Sequence, residues 1–127
     1  MLKWIIPIVL MIAASLVVTG CERVASHSFT LKTKETKLVI DPTMFKGQVR
    51  AAYAAAKKYP DMLNEVFCYC FCDQPPLRHH TLLSCFTDRH GAGCALCQKE
   101  ALRVAQLHEQ GKSATDIKRT IDKEFGK

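Results

Sequence analysis

Aromatic residues are scarce in this 127-residue chain, at 8% with a single tryptophan. Its core must therefore be built from Leu, Val, Ile and Ala, which favours a small helical core, and small cores often need staples such as metals or disulfides. Several chemistries lack their residues. There is no paired-carboxylate site, no nucleophile elbow and no phosphate loop, so hydrolase and nucleotide readings have no support. Cys97 is followed by Gln98 rather than histidine, which disfavours covalent haem, and no βαβ pattern surrounds Cys94 and Cys97, which counts against a thioredoxin-like domain. The net charge of +6 is modest and dispersed, with no Arg/Lys stripe interleaved with aromatics, so nucleic acid is not an expected partner. The length gives room for one small domain with an anchor and a tether.

Sulfur is what the chain has in quantity. Six of its seven cysteines, Cys68, Cys70, Cys72, Cys85, Cys94 and Cys97, fall within one short stretch, together with His79, His80 and His90. Thiols and imidazoles this dense mean either a metal site or a disulfide framework.

The chain opens on Lys3 and an apolar run from Trp4 to Val18, broken by Pro7 and Ser15. That is the length of a signal-peptide core and short for a spanning helix. Val18-Thr19-Gly20-Cys21 follows, in the manner of a bacterial lipobox, with small residues before a cysteine that is lipidated and becomes the new N-terminus. The division expected is a lipoprotein signal peptide at 1–20, a lipid-anchored tether at 21–43 and a cysteine-rich helical domain at 44–127. The mature protein would work outside the cytoplasm, held to membrane lipid through Cys21. Its compartment would be oxidising, where thiols are protected by pairing or by metal. Loss of residues 1–20 removes only Lys3 among the charged residues, so the mature chain stays basic.

The tether is rich in Ser, Thr and Lys, carries His27, and reads as a solvated spacer, with Phe29-Thr30-Leu31 and Leu38-Val39-Ile40 as short strands at most. After Asp41-Pro42-Thr43, the alanine-rich segment from Met44 to Tyr59 predicts a helix with Phe45, Val49, Ala52, Tyr53 and Ala56 on one face. Pro60 ends it and opens a further turn or two through Val66. Thr81 is placed to cap a short helix from Leu82 to Arg89. Cys94 opens the longest helix, which runs to about Gln110. Gly111 ends it, and Ser113 with Asp116 caps a last helix whose stripe is Ile117, Ile121 and Phe125. The fold class expected is all-α, about four helices around a cysteine-rich extended or loop segment.

In Cys68-Tyr69-Cys70-Phe71-Cys72, alternation puts three sulfurs on one side of an extended strand, with Cα atoms two apart separated by about 6.6 Å, at the edge of disulfide reach. Each sulfur then pairs with a distant cysteine, or the segment bends and neighbouring sulfurs share a metal. Cys94 and Cys97 lie on one face of a first helical turn, where the helix terminus favours thiolate. His108 lies roughly 16 Å further along that helix and cannot share an ion with Cys97. His79 and His80 are adjacent, so their side chains diverge and one at most faces the cysteines; His80 is the one assigned.

From Tyr53 to the C-terminus the chain resembles a family of bacterial extracytoplasmic proteins named for a PCYCGC motif. The matching residues are Phe67 to Cys72, then Leu82-Leu83-Ser84-Cys85-Phe86, His90, Cys94 with Cys97, and the Gly111-Lys112-Ser113 connection. The family lends a pattern and no activity. Here Phe67 replaces the motif proline and Phe71 its glycine. The missing glycine argues against a sharp bend between Cys70 and Cys72, and against Cys72 sharing an ion with Cys68.

Three functions follow. The first is a non-enzymatic binder of a soft ion, copper(I) or zinc, for capture, storage or delivery, with a metal donor or acceptor protein as partner. Its ligands would come from Cys68, Cys70, Cys72, His80, Cys85, His90, Cys94 and Cys97. The second is a disulfide-stapled structural lipoprotein without metal. The third is a thiol–disulfide redox protein using Cys94 and Cys97.

Overall fold

The computed structural model of the chain describes residues 33–126. The apolar segment, the lipidation expected at Cys21, His27 and the strand expected at 29–31 lie outside those residues. The described part is all-α, as the periodicity predicts, with no strand among the described residues. None of its helices is long and apolar enough to cross a membrane.

The described residues form five helices and two 3-10 turns: α1 is Gly47–Lys58, α2 Pro60–Asn64, α3 His90–Gly93, α4 Ala95–Glu109 and α5 Ala114–Phe125, with one 3-10 turn before α1 at Pro42–Met44 and one between α2 and α3 at Leu82–Phe86. The first helix starts later than its composition suggests, because Asp41 caps the Pro42–Met44 turn and Phe45 and Lys46 are extended. Pro60 and Thr81 act as expected, one in the first turn of α2 and the other capping the second 3-10 turn. Ser113 caps α5: its Oγ accepts from the Asp116 amide at 3.2 Å and donates to Asp116 Oδ2 at 2.7 Å. Gly111 takes a φ of +75°, which lets the chain reverse from α4 into α5.

The first helix lies along α4. It buries Ala52, Tyr53, Ala55 and Ala56 on that side, small side chains that allow close approach. Tyr53 organises the centre. Its ring lies 4.2 Å from that of Phe45 and meets Phe86 edge-on at 5.0 Å, and its hydroxyl donates to the Asp88 carbonyl at 2.6 Å. One helix thereby holds the 3-10 turn that carries Cys85 and the loop that follows it.

The spacer expected up to residue 43 ends earlier. The Glu35 amide donates to Asn64 Oδ1, and Asn64 Nδ2 donates back to the Glu35 carbonyl, both at 2.9 Å. Ile40 donates from its amide to the Phe86 carbonyl at 3.0 Å. Residues 38–40 form no strand, and Leu38 is exposed.

The core is continuous with the cysteine stretch. Cys68, Cys72, Cys85 and Cys97 are buried in the same cluster as Leu63, Leu82, Phe86 and Val104.

Candidate metal centre

Three pieces of chain deliver the sulfurs. The motif Cys68 to Cys72 is not extended. Turns at Tyr69-Cys70 and Cys72-Asp73 fold it, and Phe71 between them adopts a φ of +58°. The bend argued against by the missing glycine is therefore made, with phenylalanine in the left-handed region. Cys72 and Cys68 belong to one set of close sulfurs, which corrects the expectation that they are kept apart. The second piece is the 3-10 turn carrying Cys85, and the third is the start of α4 carrying Cys97.

The Sγ atoms converge. Cys68 lies 3.3 Å from Cys97 and 3.4 Å from Cys70, and Cys97 lies 3.5 Å from Cys70. Cys72 lies 3.3 Å from Cys85. All six cysteines of the described residues are free thiols. Two sulfurs bound tetrahedrally to one zinc stand about 3.8 Å apart, from a Zn–S length of about 2.3 Å. The observed spacings need only a slight expansion to admit an ion.

Imidazole joins from the other side. His90 Nε2 is 3.4 Å from Cys70 Sγ. The histidine from the adjacent pair that faces the cluster is His79, which is buried; His80 is exposed, correcting its assignment. The His79 amide bonds the Cys72 carbonyl at 2.9 Å, so the loop between them closes and brings the ring in. Asp88 contacts both histidine residues: Oδ2 pairs with His79 Nε2 at 2.9 Å and orients that ring, and Oδ1 accepts from the His90 backbone amide at 2.7 Å. His79 Nδ1 is left buried without a hydrogen-bond partner.

These atoms form three overlapping four-donor sets, in each of which every pair lies within 4.8 Å: Cys68, Cys70, Cys72 and Cys85; Cys70, Cys85, His90 and Cys97; Cys72, His79, Cys85 and His90. Cysteine and histidine groups close enough to hold a metal ion are thus present. Cys94 belongs to none of them. As N-cap of α4, it accepts the Cys97 amide on Sγ at 3.4 Å.

The thiols do not share one acidity. The Cys70 thiol pushes Cys68 up, and the Cys68 thiol in turn holds Cys70 and Cys72 well below the usual range. Burial tends to lower His90, but its hydrogen bond to Cys70 and the charges of Cys70, Cys72 and Asp88 together raise it. Cys94 is pushed up to about 12, first by burial and then by its contact with Cys97, so the helix terminus does not make it a thiolate. With Cys97 fully buried, this pair lacks the accessible, acidic thiol that disulfide exchange requires.

Two acids at the site had no obvious sequence signal or went unread. Asp88 stands nine residues after His79 in an irregular loop. Glu100 is fully buried. Its Oε1 accepts from the Tyr69 amide at 2.9 Å, tying α4 to the motif, while Oε2 has no partner. Its position one turn beyond Cys97 on the buried stripe could have flagged it. Gln98, noted only for not being histidine, donates from Nε2 to the Gly91 and Ala92 carbonyls at 2.8 and 3.2 Å and so fastens α3 to α4.

Searches against curated proteins and against solved structures return no match. A family defined as proteins of unknown function with a PCYCGC motif matches residues 10–127. The folded motif, its Cys85 and Cys97 partners and this match over most of the chain together place the protein in the PCYCGC-motif family.

Proposed function

We propose that the chain is an extracytoplasmic lipoprotein, anchored through Cys21, that binds a soft metal ion, copper(I) or zinc, for capture, storage or delivery. The observation that carries the reading is the convergence of five thiols and two imidazoles from five segments of chain on one small volume. A disulfide framework needs each sulfur beside one partner, whereas Cys68, Cys70 and Cys97 each have two sulfur neighbours within 3.5 Å. A single zinc needs four ligands. The surplus of sulfur suits copper(I), which accepts low-coordinate, thiolate-rich sites. Cys70 and His90 are half-buried and give an ion a way in from solvent. In this reading Cys94, also half-buried beside Cys97, would serve exchange of the ion with a donor or acceptor protein. The anchor is supported by Lys3, the apolar run and the small residues before Cys21.

The test is metal quantification on the full chain purified without oxygen. Stoichiometric copper or zinc is expected. The double variant Cys70→Ser/Cys85→Ser, which removes a thiol from every donor set, should lose it, while Cys94→Ser keeps most of it. A metal-free preparation whose unreduced, alkylated mass is short of six hydrogens would instead establish the disulfide-stapled alternative.

A further inference from the structure

We infer that the cluster is built for two ions in chemically different positions: a three-sulfur position formed by Cys68, Cys70 and Cys97, and a two-sulfur, two-imidazole position formed by Cys72, Cys85, His79 and His90. The inference rests on the metal-binding reading and specifies its stoichiometry and ligands.

The seven donors divide between these positions without remainder. The first is a nearly equilateral triangle with edges of 3.3, 3.4 and 3.5 Å. Its centre lies about 2.0 Å from each sulfur, so an ion at a thiolate bond length of about 2.3 Å sits about 1.2 Å off the sulfur plane. Three soft donors without a fourth favour copper(I) over zinc. In the second position the four donor atoms lie within 4.8 Å of one another, and the Cys72–Cys85 edge is 3.3 Å. Two thiolates with two imidazoles is a ligand set zinc takes.

His79 decides between this division and the alternatives. The other two donor sets both omit it and both claim Cys70 and Cys85. Yet His79 Nδ1 is a buried polar atom with no partner, on a ring held through Nε2 by Asp88 at 2.9 Å. A buried nitrogen left unsatisfied costs about 1–3 kcal/mol. A carboxylate on the far nitrogen of an imidazole is the arrangement that orients metal-binding histidines. The same carboxylate takes the His90 backbone amide at 2.7 Å, so one residue orients the His79 ring and pins the chain at His90. His90 Nε2 stands 3.4 Å from Cys70 Sγ, at the seam where the two positions meet.

The experiment uses the reduced, metal-free full chain without oxygen, given zinc(II) and copper(I) singly and together, with bound ions counted by native mass spectrometry. One zinc and one copper per chain are expected together. X-ray absorption should read two sulfurs and two nitrogens around zinc, and sulfur alone around copper. His79→Gln and Asp88→Asn should weaken zinc binding at least tenfold and leave copper in place, while Cys97→Ser should do the reverse. Saturation at one ion in total, four sulfurs around zinc, or unchanged zinc affinity in both His79→Gln and Asp88→Asn would overturn the two-position inference and leave the metal-binding reading standing. Binding of neither ion would overturn both. The wild-type count and spectra decide the matter even where a variant fails to fold.

Discussion

Phe71 stands where the family motif has glycine and takes the glycine conformation, with φ at +58°. A left-handed residue with a side chain costs about 1–2 kcal/mol. Glycine removes that cost but adds about 0.5–1 kcal/mol of unfolded-chain entropy. The ring is 64% exposed and meets Phe67 only edge-on at 6.4 Å, so little burial is lost with it. Phe71→Gly should therefore raise stability by about 0.5 kcal/mol, and Phe71→Val should lower it by more than about 1 kcal/mol, since β-branching tolerates positive φ worst. Denaturant unfolding under reducing conditions reads both. A glycine variant less stable than wild type would show that the aromatic ring contributes packing beyond these contacts. Sequence reasoning took the missing glycine as a barrier to bending because it weighed local strain alone. The bend is enforced by tertiary contacts, including the His79 amide on the Cys72 carbonyl. The choice of His80 over His79 failed for a similar reason: the partner that selects His79 is Asp88, which no periodicity links to it.

The helices were legible because their signals are local: the alanine stretch of α1, Pro60, Thr81, Gly111 and the Ser113 cap all act within a turn of their own position. The docking of residues 35–40 was legible only in part: the apolar Val39 and Ile40 pack against the core, but the hydrogen bonds to Asn64 and Phe86 that fix the segment leave no sequence signal. Helix α4 carries an element-scale consequence of its own. It places Glu100 in the core beneath the motif, where burial pushes the carboxyl up to about 7 in spite of the Tyr69 amide. A carboxyl raised from its usual 4.5 favours the fold when protonated. That contribution is fully present below about pH 4.5 and is lost as pH rises through about 7, an effect of up to about 3 kcal/mol. Glu100→Gln keeps the acceptor for the Tyr69 amide and removes the titration. Metal-free, reduced wild-type protein should lose stability relative to this variant between pH 4.5 and 7. Parallel stability–pH curves for the two proteins would mean that Glu100 is hydrated or paired in solution.

The whole molecule is a small core in which the candidate metal site and the hydrophobic centre are the same atoms. Cys68, Cys72, Cys85 and Cys97 pack with Leu63, Phe86 and Val104 and at the same time face one another. Drawing these sulfurs together also draws together the motif, the 3-10 turn and the start of α4, so under the proposed function ion binding would be coupled to folding. An ion that binds only the folded chain stabilises it by about 4 kcal/mol when free metal stands a thousandfold above its dissociation constant. For a domain of this size each kcal/mol moves the melting temperature by about 4–8 °C. Zinc or copper(I) should thus raise the melting temperature of the reduced chain by more than about 15 °C at that excess, and a chelator should reverse the shift. The shift should shrink as pH falls, because protons compete with the ion for the thiolates and imidazoles. Cysteines serving only as small apolar filling would give one melting temperature with metal, without it and after chelation.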